Sequence, residues 1–304
     1  MSEAEGLLEA AAAGRFRVLL AGAGGQVGSA VTRLTPADAT VIAMDSATLD
    51  ITDESAVRAA VGAVKPDLIL NAAAYTAVDR AESEPERAFS VNRDGPGNLA
   101  AAARANGARI IHLSTDFVFD GIRGEPYRPD SPCHPINVYG ASKWAGEEAV
   151  RKLAGDAALI VRSSWVYAAR GQNFVLTMLR LLREQPEVRV VTDQVGSPTW
   201  AVSLADALWR AVRRADLSGI HHWADAGVAS WYDLAVATQE ESIALGLLTR
   251  SVPIHAISSR DLARPAKRPP FGVLDTSLTA QALGTHPAHW RVNLRLMLRE
   301  LHAA

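Results

Sequence analysis

A short β-prone run closed by glycines at a spacing of three constrains this chain more than any other feature. Phe16-Arg17-Val18-Leu19-Leu20 favours an extended backbone, and Ala21-Gly22-Ala23-Gly24-Gly25-Gln26-Val27-Gly28 follows it, with glycines at 22, 25 and 28. Helix formers continue from Ser29 to Leu34. The stretch reads as strand, tight turn, helix. Such a turn gathers unpaired backbone N–H groups and the positive end of a helix dipole at one point, where a pyrophosphate can sit. Gly22 would make the turn, Gly25 would let the phosphates approach the backbone, and Gly28 would let the helix pack against the sheet. The alternative is a purely structural glycine turn.

The balance of charge narrows the partners. Among 304 residues, Lys plus Arg number 31 and Asp plus Glu 33, so no global field recruits nucleic acid or an anionic membrane surface. The single cysteine, Cys133, excludes an internal disulfide and suits a reducing cytoplasm. No run without Asp, Glu, Lys or Arg is longer than Val18–Thr32, which is shorter than the ~20 residues of a membrane helix and carries glycines throughout. The acidic N-terminus does not read as a signal peptide, and residues 1–14 read as an Ala-rich disordered tail.

Strands and helices then alternate. Thr40–Met44 reads as a second strand ending at Asp45, an acidic residue placed where a dinucleotide fold holds the adenosine ribose, although a strand-end turn explains Asp45 nearly as well. Ser46 follows it rather than a base, which weakens the case for a 2′-phosphate. Thr52 or Asp53 can cap a helix to about Val64. Asp67–Asn71 is apolar enough for a strand buried on both faces, and small Ala72, Ala73 and Ala74 at its end leave room either for a flat ligand or for tight packing. A helical region over 82–106 is expected to break near Gly95-Pro96-Gly97. A strand over 108–113 runs into Ser114 and Thr115, whose hydroxyls would face a ligand crevice.

Tyr139-Gly140-Ala141-Ser142-Lys143 opens the next helix, with Tyr139 and Lys143 on one face at i and i+4. A phenol delivers a proton to a carbonyl more readily if an ammonium lowers its pKa from ~10. Alone, this spacing is usually a solvated surface pair; after Ser114-Thr115 and a dinucleotide motif it becomes a proton-delivery candidate. A fifth strand follows over 157–162, and the alternation loosens after Arg162. The fold class expected is α/β, a Rossmann-type doubly wound parallel sheet with a smaller interleaved C-terminal α/β portion. Residues 15–165 would form the dinucleotide-binding domain, with returns at about 188–225, and 166–304 mainly the substrate portion.

Taken together, the segments Asn71–Asp79, Ser114–Gly121, Tyr139–Lys143, Arg162–Tyr167 and Asp193–Thr199 resemble the signatures of the dTDP-4-dehydrorhamnose reductase family, within the extended short-chain dehydrogenase/reductases. The resemblance runs from about Arg17 to the region of Trp290. It implies reduction of the C4 keto group of dTDP-4-dehydro-6-deoxy-L-mannose by NADPH or NADH, in the cytoplasm, by a monomer or homodimer. It implies Tyr139 as the acid, Lys143 on the nicotinamide ribose lowering the Tyr139 pKa, and Thr115 on the carbonyl oxygen. Gly25, Gln26 and Val27 would meet the pyrophosphate, Asp50 and Ile51 would flank the adenine, and Ala72–Ala74 would line the cofactor. Asp116 and Trp165 would contact the sugar nucleotide, with Lys267 and Arg268 toward its diphosphate.

Two positions depart from the pattern. Phe117 stands where some members carry a tyrosine. Ala30 stands where some members carry the first of several glutamates that bind Mg2+ between subunits, so Mg2+ is not expected. A 4-ketoreductase for another dTDP-deoxysugar, or a catalytically silent NAD(P)-binding regulatory subunit, stays open at this point.

Overall fold

The protein is described here by a computed structural model covering residues 16–303; the expected tail over 1–14 lies outside the described residues. Six parallel strands form the main sheet: β1 (Phe16–Ala21), β2 (Ala39–Met44), β3 (Leu68–Asn71), β4 (Arg109–Thr115), β5 (Ala158–Ser163) and β6 (Gly219–His222). Their spatial order is β6-β5-β4-β3-β1-β2, so the chain reverses its direction of travel between β1 and β3. In an open parallel sheet the carboxyl ends at such a reversal bound the ligand crevice.

Alternation along the strands explains the two helix layers. Val18, Leu20, Leu68, Leu70, Ile111 and Leu159 face one side, where they pack on α1 (Gln26–Arg33) and α6 (Ala201–Val212). Leu19, Ala21, Ile69, Ile110 and Ile160 face the other, against α2 (Glu54–Val64), α3 (Gly95–Ala105) and α4 (Val138–Ala154). Both faces exclude water, which is why these strands are almost wholly apolar rather than alternating with polar residues. Each fully buried aliphatic side chain contributes roughly 1.5–3 kcal/mol.

A second core fills the C-terminal portion. There α5 (Phe174–Glu184), α7 (Trp231–Ala244) and α9 (Trp290–Ala303) enclose Met178, Leu182, Leu234, Leu294 and Met297. The strand Val188–Val191 pairs in parallel with Ile254–Ile257 and not with the main sheet. Of the expected returns at 188–225, therefore, only α6 and β6 rejoin the first layer. The short helix α8 (Ser277–Leu283) packs beside β6, where Thr279 Oγ1 accepts the His222 N–H at 3.1 Å.

The expected break at Gly95-Pro96-Gly97 does not occur. Pro96 sits in the first turn of α3, where its missing N–H is tolerated. The irregularity lies just before it, in a π-helical turn over Ser90–Asp94. Gly95 is required for packing: a Cβ there would come 2.6 Å from Ile51 Cγ1.

Candidate active site

The site is built from strand ends and helix starts. At the end of β1, Gly22 has φ +84°, a left-handed conformation that favours glycine, and a Cβ there would drive into the Ala72–Ala73 backbone. Gly28 is buried in α1, and its added Cβ would lie 2.7 Å from Ala23 Cα and closer still to the Gly22 carbonyl. Gly25 differs from both. It is exposed, has φ −75°, and an added Cβ would meet only the Gly22 carbonyl, at 3.3 Å. Gly25 caps α1 without any side-chain bond to the helix's first N–H groups. An exposed glycine edge leading into a helix start fits a dinucleotide's phosphates.

Around this turn the expected cofactor residues divide. Gln26 is half-buried, and its Oε1 accepts from Asn173 Nδ2 at 2.9 Å, while Val27 leans on the core beneath. Ala72, Ala73 and Ala74 are half-buried at the end of β3. Asn92, in the π-helical turn, anchors the segment beyond them: its Oδ1 accepts from Tyr75 N at 2.8 Å, and its Nδ2 donates to Tyr75 O and Ser142 Oγ. Asp45 Oδ1 accepts from Ala47 N, Thr48 N and Thr48 Oγ1, so the turn role weighed from sequence is formed. Asp50 is exposed and likewise closes a turn, onto Thr52. Ile51 is buried in the core, with its side chain against Gly95.

The chemistry-bearing groups lie where β4 meets α4. Asn137 caps α4 by accepting from Gly140 N at 2.7 Å, which fixes the helix start that carries Tyr139. Gly140 is needed because the Phe117 backbone carbonyl presses on it. The Tyr139 ring meets Phe117 edge to face, with centroids 5.5 Å apart. Tyr139, Lys143 and Glu147 follow at i, i+4 and i+8. Lys143 is buried and its Nζ donates to the Leu113 carbonyl at 2.7 Å; burial lowers its pKa to about 8, against the opposing charge of Glu147.

The expected lowering of the Tyr139 pKa by Lys143 is corrected. Burial pushes the phenol up to about 12, Asp116 adds to the rise, and the Thr115 hydroxyl, as a hydrogen-bond partner, opposes it. The ammonium is engaged by Leu113 instead. The phenol therefore holds its proton at neutral pH. Asp116 is 3% exposed; burial raises its carboxyl to about 7, and the Thr115 hydroxyl bonds its Oδ1 at 3.1 Å.

Trp165 follows β5 in a left-handed conformation, φ +47°, which a bulky residue adopts only when held. Its indole stacks on Trp231 with centroids 3.5 Å apart and planes 4° apart, and Gly196 leaves the space its edge occupies. Trp231 Nε1 in turn donates to Gln194 at 3.1 Å. Arg268 is paired in two-pronged fashion with Asp79, Nη1–Oδ1 and Nη2–Oδ2 both at 2.8 Å, so its charge is already compensated. Lys267 is exposed.

Sequence reasoning missed Asn92, Glu147, Arg162 and Trp231. A signal for Glu147 existed, since it continues the face of Tyr139 and Lys143 by one more turn. For Trp231 there was none, because it meets Trp165 across 66 positions of chain.

The position of the first magnesium-binding glutamate of some members supplies no oxygen ligand. Ala30 is 6% exposed and packs its methyl into the first core. The nearby Glu300 is ion-paired with Arg33.

Comparison with known proteins follows the same lines. The family model described as "RmlD substrate binding domain" matches residues 16–303. A dTDP-4-dehydrorhamnose reductase of Streptomyces griseus is 45% identical over 92% of this chain and 92% of its own length. The spore coat polysaccharide biosynthesis protein SpsK of Bacillus subtilis is 40% identical over 95% and 99%. The crystal structure of dTDP-4-dehydrorhamnose reductase from Bacillus anthracis in complex with NADP superposes with TM-score 0.89 at 34% identity, covering 94% of this chain and 99% of that one.

Proposed function

The chain belongs to the RmlD substrate binding domain family, and from that premise we propose that it is an NAD(P)H-dependent reductase of a dTDP-4-keto sugar. The substrate is dTDP-4-dehydro-6-deoxy-L-mannose and the product dTDP-L-rhamnose. The observation that carries this reading is the grouping of a protonated phenol, a hydroxyl and a buried ammonium at the β4–α4 junction, beside a glycine turn fit for a dinucleotide.

The bound nicotinamide supplies a hydride to the carbonyl carbon. Tyr139 donates the proton that the carbonyl oxygen needs, and Thr115 holds that oxygen by hydrogen bonding. Lys143, held by the Leu113 carbonyl, would bind the cofactor's ribose. Gly22, Gly25, Gln26, Val27 and Gly28 cradle the pyrophosphate, with Ala72–Ala74 along the cofactor. Asp45 and Asp50 remain candidates for its adenosine end, through the carboxylate oxygens their turns leave over. Trp165, fixed by Trp231, offers its ring to the sugar nucleotide. Arg268 would contact the diphosphate only through donors that Asp79 does not occupy.

Among the described residues no helix is long and apolar enough to cross a membrane. The need for a nucleotide sugar and reduced nicotinamide supports action in the cytoplasm, by a monomer or homodimer.

The test is turnover of dTDP-4-dehydro-6-deoxy-L-mannose by the purified chain with NADPH and with NADH, followed by loss of nicotinamide absorbance and identification of the product. Tyr139→Phe should retain cofactor binding and lose ~10²–10⁴-fold in kcat. Cofactor binding without turnover by the unmodified chain would point to a regulatory subunit. Faster reduction of another dTDP-4-keto sugar would point to a sister pathway.

A further inference from the structure

Residues 264–274 run as a strap past the carboxyl ends of β3 and β4. The far half of the strap is zipped by main-chain bonds. Val195 N donates to Pro270 O at 2.8 Å, Gly272 N to Val195 O at 2.7 Å, and Tyr127 N to Val273 O at 2.8 Å. Gly272 closes on Asp116 there, and a Cβ at this glycine would strike Oδ2. The near half is held differently. Among the described residues no main-chain pair reaches 263–269. Side chains of two other segments hold it instead. Asp79, in the short helix Val78–Ala81, takes Arg268 in two bonds of 2.8 Å and accepts from Ala266 N at 3.3 Å. Asn137 Nδ2 donates to the Lys267 carbonyl at 2.7 Å.

Asn137 bonds in two directions. Its Nδ2 holds the strap, 130 positions away in the chain, while its Oδ1 accepts from Gly140 N and caps α4 two residues before Tyr139. The two partners fix the orientation of the amide, because an N–H must meet oxygen and a carbonyl must meet a donor. Aspartate or serine caps a helix as well as asparagine does. An aspartate has no proton to give at neutral pH, and a serine hydroxyl stands one atom closer to the backbone. What asparagine adds here is the donor to the strap.

We propose that Asn137 is a positioning residue for this reaction, seating the strap against the sugar nucleotide while setting the helix start that aims Tyr139. The proposal rests on the reading of Tyr139 as the acid and of the strap's Lys267 and Arg268 as facing the diphosphate. A strap without its tether samples positions in which those charges and the Gly272 wall are out of place. Substrate then binds only the seated fraction, and its apparent affinity falls by that fraction. The cap acts on a different quantity. A frayed first turn displaces Tyr139 within the bound complex, and misplacement of a reacting group slows turnover. One side chain thus acts on KM through its donor and on kcat through its acceptor.

The experiment compares the unmodified chain with Asn137→Asp, Asn137→Ser and Asn137→Ala. The readouts are KM and kcat for dTDP-4-dehydro-6-deoxy-L-mannose, NADPH affinity, melting temperature and limited trypsin digestion. The first two variants keep the cap and lose the tether. Both should melt near the unmodified chain, bind NADPH equally and keep kcat, with KM raised about tenfold. Asn137→Ser decides if Asn137→Asp does not fold. Asn137→Ala loses both bonds and should lower kcat as well.

Trypsin reads the tether without catalysis. Arg264 and Arg268 each precede a proline, which leaves Lys267–Arg268 as the bond of the strap that trypsin can cut, and its carbonyl is the one Asn137 holds. Cutting after Lys267, identified by fragment mass, should be slow in the unmodified chain and clearly faster in Asn137→Asp and Asn137→Ser. Equal cutting, or an unchanged KM in both capped variants, would overturn the tether. An unchanged kcat in Asn137→Ala would overturn the role of the cap. Retained turnover in Tyr139→Phe, or no turnover of this sugar by the unmodified chain, would instead overturn the reading of the site, and the trypsin result would still decide the tether.

Discussion

Glu147 on α4 and Arg162 on β5 hold each other through two parallel hydrogen bonds, Nε–Oε1 at 2.9 Å and Nη2–Oε2 at 2.6 Å, with neither side chain reaching solvent. The same carboxylate accepts from Ser114, and the guanidinium also reaches Cys133 Sγ at 3.1 Å and lies over the Phe119 ring. The pair ties the helix of Tyr139 and Lys143 to β4, which ends in Thr115, and to β5, which ends two residues before Trp165. Breaking a buried pair from one side strands the other charge. Glu147→Ala should therefore cost about 3–5 kcal/mol, read as a fall in the urea midpoint. Adding Arg162→Met should recover much of that loss, and no recovery in the double variant would mean the pair is not what holds the junction.

The three motif glycines should fail in different ways. Gly22→Ala and Gly28→Ala meet backbone atoms and should lower the melting temperature sharply. Gly25→Ala meets only a carbonyl at 3.3 Å and should fold, yet lose NADPH affinity where its methyl projects toward the phosphates. Titration of NADPH into folded Gly25→Ala checks this; unchanged affinity would make the glycines structural only.

Asp116 carries a stability cost with a definite sign. Its carboxyl titrates at about 7 in the folded chain against an ordinary value of 3.8. Folding is unpenalised below that ordinary value, and the cost grows as pH rises and is complete above about 7. The full cost is roughly 4 kcal/mol. Asp116→Asn should therefore melt higher than the unmodified chain at pH 8 and about equally at pH 4. A lower melting point for Asp116→Asn at pH 8 would contradict the burial argument.

Activity and assembly should not depend on Mg2+. A magnesium ion needs several oxygen ligands, and the buried Ala30 offers none, while Glu300 nearby is bound by Arg33. Assay and sizing with and without EDTA, at matched ionic strength, test this. Loss of activity or of a dimer on chelation, restored by Mg2+, would show a site built from other residues.

Much of the fold was legible because it is dictated locally. Apolar runs at 18–20, 68–70 and 110–111 become buried parallel strands, and Asp53, Asn137, Asn173 and Ser230 each cap the helix that follows them. The strand Val188–Val191 was legible as a strand but not its partner, because pairing with Ile254–Ile257 depends on a second core that no local pattern announces.

The sequence by itself determined the strand–turn–helix at the glycines, the parallel sheet, and the helical face shared by Tyr139 and Lys143. Each is a matter of spacing along one stretch of backbone, and sterics and hydrogen bonding at that range leave few alternatives. Only the tertiary structure decided what those groups are. Burial, not the neighbouring ammonium, sets the Tyr139 phenol; Leu113 takes up Lys143; Asp79 takes up Arg268; Trp231 fixes Trp165. Desolvation and pairing depend on which distant segments close over a side chain, and that information is in no single stretch of the chain.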